Sequence, residues 1–99
     1  MDVTLNETDG VLTATLSGRL DTAASARCSE ELQPLFDHAG GAVALDCREL
    51  EFISSSGLRI FLSLLKEVNA RKGSLKILNM NEDVHNIFVL TGFAKRFNI

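Results

Sequence analysis

Three consecutive serines followed by a glycine are the residues of this sequence best placed to do chemistry. Ser54-Ser55-Ser56-Gly57 follows the apolar pair Phe52-Ile53. It precedes apolar residues that recur at helical spacing, namely Leu58, Phe61, Leu62, Leu65 and Val68. The serines therefore lie where the chain enters the first turn of a core-facing helix. One serine side chain suffices to cap such a turn, so three in a row leave hydroxyl groups free for another role.

A phosphate group on one of these serines would be stabilised by the start of the helix. The first four N–H groups of a helix lack intrahelical partners, and the helix dipole places partial positive charge there. Both features favour an anion at this point of the chain. The serines are thus interpreted either as an N-cap, with Gly57 easing the turn, or as a phosphorylation site. The residue types alone favour the cap.

The other reactive residues do not form the signature of an enzyme. No Gly-x-Ser-x-Gly or P-loop motif is present, and His38 and His85 have no companions at metal-ligand spacing. Cys28 and Cys47 lack metal or redox spacing. We expect Cys28 in the core and Cys47, after a strand, to be partly exposed. We therefore expect no catalytic residue, metal or cofactor.

Length and charge indicate a single soluble domain over residues 1–99. The chain has 99 residues, of which 45% are hydrophobic and 23% charged, with a formal net charge of −3. A negative charge without a basic stripe argues against a nucleic-acid partner. No apolar run reaches membrane-spanning length, and we do not expect Met1-Asp2-Val3 to begin a signal peptide. We expect a cytoplasmic protein with reduced cysteines.

The first half of the chain predicts a hairpin, a broken helix and a strand. Val3–Thr8 and Val11–Ser17 alternate around the turn Asp9-Gly10. Asp21 or Thr22 is a natural N-cap for a helix that we expect to break near Gln33, because Pro34 lacks an N–H group. The segments that follow are predicted to be a buried strand over Ala42–Leu45 and a polar connection over Cys47–Glu51.

The second half predicts two helices around a strand. The central helix runs from about Ser56 to about Arg71 and ends at the C-cap signature Lys72-Gly73. The later elements are a strand over Leu75–Leu78, a helix over Glu82–Leu90 and a last short strand formed by Phe93 and Phe97–Ile99. Strands that alternate with helices after a hairpin predict an α/β (α+β) fold. We expect a mixed, mainly parallel sheet of four to five strands covered by about three helices.

With its elements in this order, the sequence resembles the STAS domain family, and more narrowly the stand-alone anti-sigma factor antagonists of bacteria. Gly18-Arg19-Leu20-Asp21 matches the family's Gly-x-Leu-Asp at the end of the second strand. Leu45-Asp46 and then Phe52–Leu58 match its strand, connection and Asp-Ser-Ser-Gly-Leu motif. Thr91-Gly92-Phe93 falls where the family has a small residue, a glycine and an apolar residue.

The resemblance implies a phosphorylation switch at Ser55. In that family, the unmodified antagonist binds an anti-sigma factor serine kinase, a histidine-kinase-like ATPase, and so releases a sigma factor. Phosphorylation of the first serine of the motif ends the binding, and a partner phosphatase reverses it. That serine corresponds to Ser55. Ser54 and Ser56 are alternative acceptors that do not match the motif. The residues expected to surround Ser55 on the partner-binding surface are Asp21, Thr22, Ser54, Ser56, Gly57 and Arg59.

The sequence departs from the family at one position of the motif. Ser54 replaces the aspartate that precedes the phosphorylated serine. A carboxylate there could position the hydroxyl or the kinase's catalytic groups. Its loss favours the alternative function, a constitutive STAS-type adaptor subunit of a larger complex, for example with a transporter ATPase. In that case the serines only cap the helix.

Overall fold

The computed structural model describes all residues from Met1 to Ile99. Its sheet has four strands in the order β1-β2-β3-β4. The strands are β1 Asp2–Thr8, β2 Val11–Leu20, β3 Ala42–Ile53 and β4 Ser74–Leu78. β1 pairs with β2 antiparallel, while the β2–β3 and β3–β4 pairs are parallel. The prediction of a mixed, mainly parallel sheet with an N-terminal hairpin is confirmed.

The helices pack on one face of this sheet. They are α1 Thr22–Glu31, α2 Gln33–Asp37, α3 Ser55–Ala70, α4 Glu82–Leu90 and α5 Phe93–Phe97. Both crossovers join neighbouring parallel strands and advance across the sheet in one direction, so their right-handedness puts α1 and α3 on the same side. The core is a single cluster of 19 buried residues. Ala44 is buried outside that cluster, on the opposite face. None of the helices is long and apolar enough to cross a membrane.

The hairpin and the break in the first helix follow the predictions. Asp9 and Gly10 both have positive φ, 53° and 81°, as a two-residue turn of the primed type requires. α1 ends at Glu31, and Pro34 lies in the first turn of α2, where its missing N–H group removes no helical hydrogen bond.

β3 corrects the prediction of a polar connection over Cys47–Glu51. It is one strand of 12 residues, and its second half pairs with β2 through Ser17↔Glu49 and Gly18↔Leu50. Shifts in the register with β2 disturb the alternation, so the charged side chains face solvent while Cys47 and Leu50 are buried. The expected partial exposure of Cys47 is therefore wrong.

The C-terminus corrects the prediction of a last strand formed by Phe93 and Phe97–Ile99. Phe93–Phe97 is helical, because the two phenylalanines at i and i+4 both pack against the core. The ring of Phe97 meets that of Phe88 edge-on, with 5.6 Å between the ring centroids. The sheet therefore ends at β4, and a short α5 closes the core beside it.

Candidate functional site

The start of α3 is held against the end of β2. Leu20 pairs with Ile53 in the sheet, and the backbone N–H of Ser54 donates to the Leu20 carbonyl oxygen over 2.8 Å. The ladder between β2 and β3 thus continues up to the residue before the helix. This contact fixes the place where α3 leaves the sheet.

Ser54 is the N-cap of α3. Its backbone is extended, with φ −83° and ψ 170°, and its side chain accepts a hydrogen bond from the N–H of Gly57. The distance between the Ser54 Oγ and the Gly57 nitrogen is 3.2 Å. The half-buried Ser54 therefore uses its hydroxyl oxygen within the fold, and the interpretation of one serine as a cap is confirmed for this residue.

Ser55 is the exposed serine of the three. It is the first residue of α3, and its side chain faces solvent without a hydrogen bond to another residue of the chain. Ser56 follows in the same turn and is half-buried. The helix thus begins about one residue before the predicted start. Among the three hydroxyl groups, that of Ser55 is both accessible and uncommitted.

Gly57 lets the first turn of α3 sit directly on the sheet. A Cβ atom at this position would lie 2.7 Å from Leu20 Cγ and 2.9 Å from Ile53 Cγ1, closer than carbon atoms approach. Gly57 has no side chain to offer a partner, and it is buried. Close packing of helix on strand explains this glycine, and it seats Ser55 at the surface.

The other residues expected at the partner surface divide between the starts of two helices. Asp21 and Thr22 are exposed, and Asp21 Oδ1 accepts the N–H of Ala24 over 2.9 Å, which makes it the N-cap of α1. Arg59 is exposed one turn into α3. Because Asp21 follows Leu20, which bonds Ser54, the starts of α1 and α3 lie at the same edge of the sheet. The structure thus places the starts of the two helices that carry these residues at one edge of the sheet.

Beside this edge, Arg19 stacks on Phe52, a contact that the sequence analysis does not predict. The guanidinium carbon of Arg19 lies 4.6 Å from the centroid of the Phe52 ring. The two residues face each other across β2 and β3 only because the register shifts at Gly18, whose φ is +99°. No sequence pattern gives that register. Arg19 and Asp21 also line a cleft of about 580 Å³ between the end of β2 and α1.

Both cysteines are buried and free. Burial, and secondarily Glu31, raises the pKa of the Cys28 thiol to about 11. Burial, and secondarily Asp46, raises the pKa of Cys47 to about 12. Such thiols stay protonated near neutral pH and are poor nucleophiles. No cluster of three or more His, Cys, Asp or Glu side chains is present that could hold a metal ion.

Comparison with known proteins identifies the family. The family model of the STAS domain matches residues 2–99. The chain belongs to the STAS domain family. Among its relatives is BtrV of Bordetella bronchiseptica, assigned as an anti-sigma factor antagonist, which is 31% identical over all of this chain and 85% of its own length. The anti-sigma-B factor antagonist of Bacillus subtilis strain 168 is 29% identical over all of this chain and 88% of its own.

Solved structures of antagonists share the fold of this STAS domain. The unphosphorylated form of SpoIIAA, an anti-sigma factor antagonist, superposes with a TM-score of 0.76 at 23% identity, over 95% of this chain and 84% of SpoIIAA. The phosphorylated form of SpoIIAA, a cell fate determinant of Bacillus, gives a TM-score of 0.69 at 21% identity, over 95% of this chain and 86% of its own. At these identities the likeness concerns the fold.

The departure from the STAS motif at Ser54 has a structural explanation. Asp, Asn and Ser are about equally good N-caps, because each offers a side-chain oxygen to the free N–H groups of the first turn. Ser54 makes that hydrogen bond, so the first turn of α3 forms without a carboxylate. The substitution keeps the cap and removes one negative charge next to Ser55.

Proposed function

We propose that this STAS domain is an anti-sigma factor antagonist controlled by phosphorylation of Ser55. The unmodified protein binds an anti-sigma factor kinase through the starts of α3 and α1, and the kinase then releases its sigma factor. The observation that carries the proposal is the exposed, uncommitted hydroxyl of Ser55 at the first residue of a helix seated on the sheet. A protein with this role acts in the bacterial cytoplasm and needs no catalytic residue of its own.

Ser55 is the acceptor for steric and chemical reasons. Ser54 Oγ is engaged with the Gly57 N–H, and Ser56 is half-buried, so a kinase reaches Ser55 most readily. Transfer forms a bond between Ser55 Oγ and the γ-phosphorus of ATP and breaks the bond to the bridging oxygen. ADP leaves, and the hydroxyl proton passes to a base that the kinase supplies. A phosphatase restores the hydroxyl by hydrolysis.

Phosphorylation would end binding through charge while leaving the domain folded. The modification adds about two negative charges at neutral pH to a surface that the partner must approach closely. The N–H groups and dipole of α3 tolerate an anion at this position. SpoIIAA has been solved in both its unphosphorylated and its phosphorylated form, which supports a switch that does not require unfolding.

The test is phosphorylation by the anti-sigma factor kinase of the same organism. We expect incubation with the kinase and ATP to add one phosphate group by intact mass, and Ser55→Ala to abolish the gain. Ser56→Ala is the matched control and should still be phosphorylated. A phosphate gain that persists in Ser55→Ala would move the acceptor to another serine. No gain, together with capture of a transport ATPase by the unmodified protein, would favour the constitutive adaptor.

A further inference from the structure

The outward face of α3 carries an arginine that has no acidic partner in the unmodified protein. Arg59 is exposed, and the ion pairs of the structure, which lie within α1 and at the end of α3, do not include it. The residues three and four positions away from it are all uncharged, namely Ser55, Ser56, Leu62 and Ser63. Nothing along its own helix therefore neutralises the guanidinium group of Arg59.

Helix geometry directs this arginine towards Ser55. Residues at i and i+4 are neighbours on a helix surface, with Cβ atoms about 5–6 Å apart. Side chains in a helix lean towards its N-terminus, so residue 59 covers the turn that contains residue 55. An anion placed N-terminal to a cation at this spacing is also the more stable order of the pair. Within α3, Ser55 and Arg59 have this spacing, this direction and, once Ser55 carries a phosphate, this order of charges.

We propose that Arg59 binds the phosphate group of phosphorylated Ser55 and thereby leaves the docking surface. This inference rests on the proposed function, because it concerns the same modified serine. The guanidinium group can donate two parallel N–H bonds to phosphate oxygens, whereas the unmodified hydroxyl offers no charge to attract it. Arg59 is a positioning residue that responds to the modification.

The consequence is that one phosphate group changes the surface at two points. In the unmodified protein the free guanidinium group of Arg59 is available to a carboxylate of the partner. After phosphorylation a negative charge appears at residue 55, and the positive charge one turn away is occupied. A partner surface that carries an acidic group opposite Arg59 is therefore repelled by the phosphate and loses its own ion pair.

Other charged groups near Ser55 act on the phosphate in the same way in every variant of Arg59. Asp21 lies beside the start of α3, because the Ser54 N–H bonds the Leu20 carbonyl, and its carboxylate already caps α1. Arg19 stacks on Phe52 at the neighbouring strand ends. Both remain unchanged when residue 59 is substituted, so their effects cancel in a comparison of variants.

The test is a titration of the phosphate by ³¹P NMR in protein that carries genetically encoded phosphoserine at residue 55. Wild-type protein is compared with Arg59→Gln, Arg59→Lys and Lys66→Gln. Lys66 is exposed on the same helix but lies 11 residues from Ser55, about 16 Å along the axis. We expect Arg59→Gln to raise the second pKa of the phosphate by about 0.2 to 0.7 pH unit, as loss of an exposed ion pair does. Arg59→Lys should raise this pKa by less than Arg59→Gln does, because lysine keeps the positive charge. Lys66→Gln should change it much less than Arg59→Gln.

Each outcome decides the inference independently of the proposed function. Because the phosphoserine is installed during translation, the titration does not depend on any kinase or partner. Equal pKa values in wild type and Arg59→Gln, or an equal shift in Lys66→Gln, would overturn the role of Arg59 and leave the switch at Ser55 standing. Failure of a kinase to modify Ser55 would overturn the proposed function and leave the titration unchanged.

Discussion

Neighbouring residues at the start of α3 have different roles, some in forming the helix start and one in presenting a hydroxyl group to solvent. Ser54 caps the helix, Gly57 allows it to touch the sheet, and Ser55 is left exposed. The sequence predicts that one of the serines is a cap, but residue types cannot say which one. The choice depends on the hydrogen bond between the Ser54 N–H and the Leu20 carbonyl, a contact between residues more than 30 positions apart.

The single substitution Gly57→Ala should lower the stability of the folded protein. The added methyl group would overlap Leu20 and Ile53, and such overpacking costs about 1–3 kcal/mol. We expect a loss of that size in the free energy of urea-induced unfolding. Ser63→Ala, at an exposed position of the same helix, is the control and should change stability by less than about 0.5 kcal/mol. If Gly57→Ala were as stable as the control, the close contact of α3 with the sheet would be wrong.

At the scale of the elements, the ends of helices and strands are harder to predict from sequence than their presence. The hairpin, the break before Pro34 and the core-facing central helix are confirmed. The errors lie in β3 and at the C-terminus. In β3 the run of exposed charged residues is typical of a loop, because the register shifts against β2 break the alternation of buried and exposed side chains. Leu62 and Leu65, expected in the core, are half-buried on α3, whereas Leu64 is wholly buried.

The predicted end of α3 at Lys72-Gly73 is confirmed, and the structure shows the part that each of the two residues has in it. In the C-cap signature Lys72-Gly73, the residue with the positive φ is Lys72, at 60°. A Cβ atom on Gly73 would lie 2.0 Å from the Ala39 carbonyl oxygen. Gly73 is thus required by the neighbouring loop, and its N–H bonds the Val68 carbonyl over 2.9 Å.

Opposite substitutions at these two positions should have opposite effects. Lys72→Gly should stabilise the protein by about 1 kcal/mol, because glycine adopts the left-handed conformation without strain. Gly73→Ala should destabilise it by about 2 kcal/mol or more, because the backbone oxygens of Ala39 and Gly41 would have to move away from the added Cβ atom. Thermal unfolding followed by circular dichroism measures both. A stabilising Gly73→Ala or a destabilising Lys72→Gly would contradict the observed cap.

For the whole molecule, the alternation of strands and helices predicts a mixed, mainly parallel sheet, but it does not predict the order of the strands. In the observed order β1-β2-β3-β4, each strand lies beside the strand that follows it in the chain, and both parallel crossovers are of the right-handed kind. The same handedness places the helices on one side, so the opposite face of the sheet is left to short polar side chains such as Thr13 and Thr15. The juxtaposition of Asp21 with Ser54 is expected only from the resemblance to the family, because residue patterns alone do not show where β2 and β3 end together.

Stability of the whole molecule should decline at alkaline pH because of its buried thiols. The pKa values of Cys28 and Cys47 are raised to about 11 and about 12 from an ordinary 9.0. The unfolded chain therefore releases protons that the folded chain keeps, and stability present below about pH 9 is lost as the pH rises further. Each thiol contributes up to about 1.4 kcal/mol per pH unit. Urea unfolding at pH 8 to 10.5 should show this slope, and the Cys28→Ala/Cys47→Ala variant should show a smaller one. Equal slopes would mean that the thiols are not buried.

The most direct test of the central claim is binding of the anti-sigma factor by protein with and without phosphoserine at residue 55. Isothermal titration calorimetry of both forms against the purified anti-sigma factor of the same organism measures the difference. We predict that the unmodified protein binds and that phosphoserine at this position weakens binding at least about tenfold, a change of about 1.4 kcal/mol. Equal affinities of two folded forms would contradict a switch at Ser55.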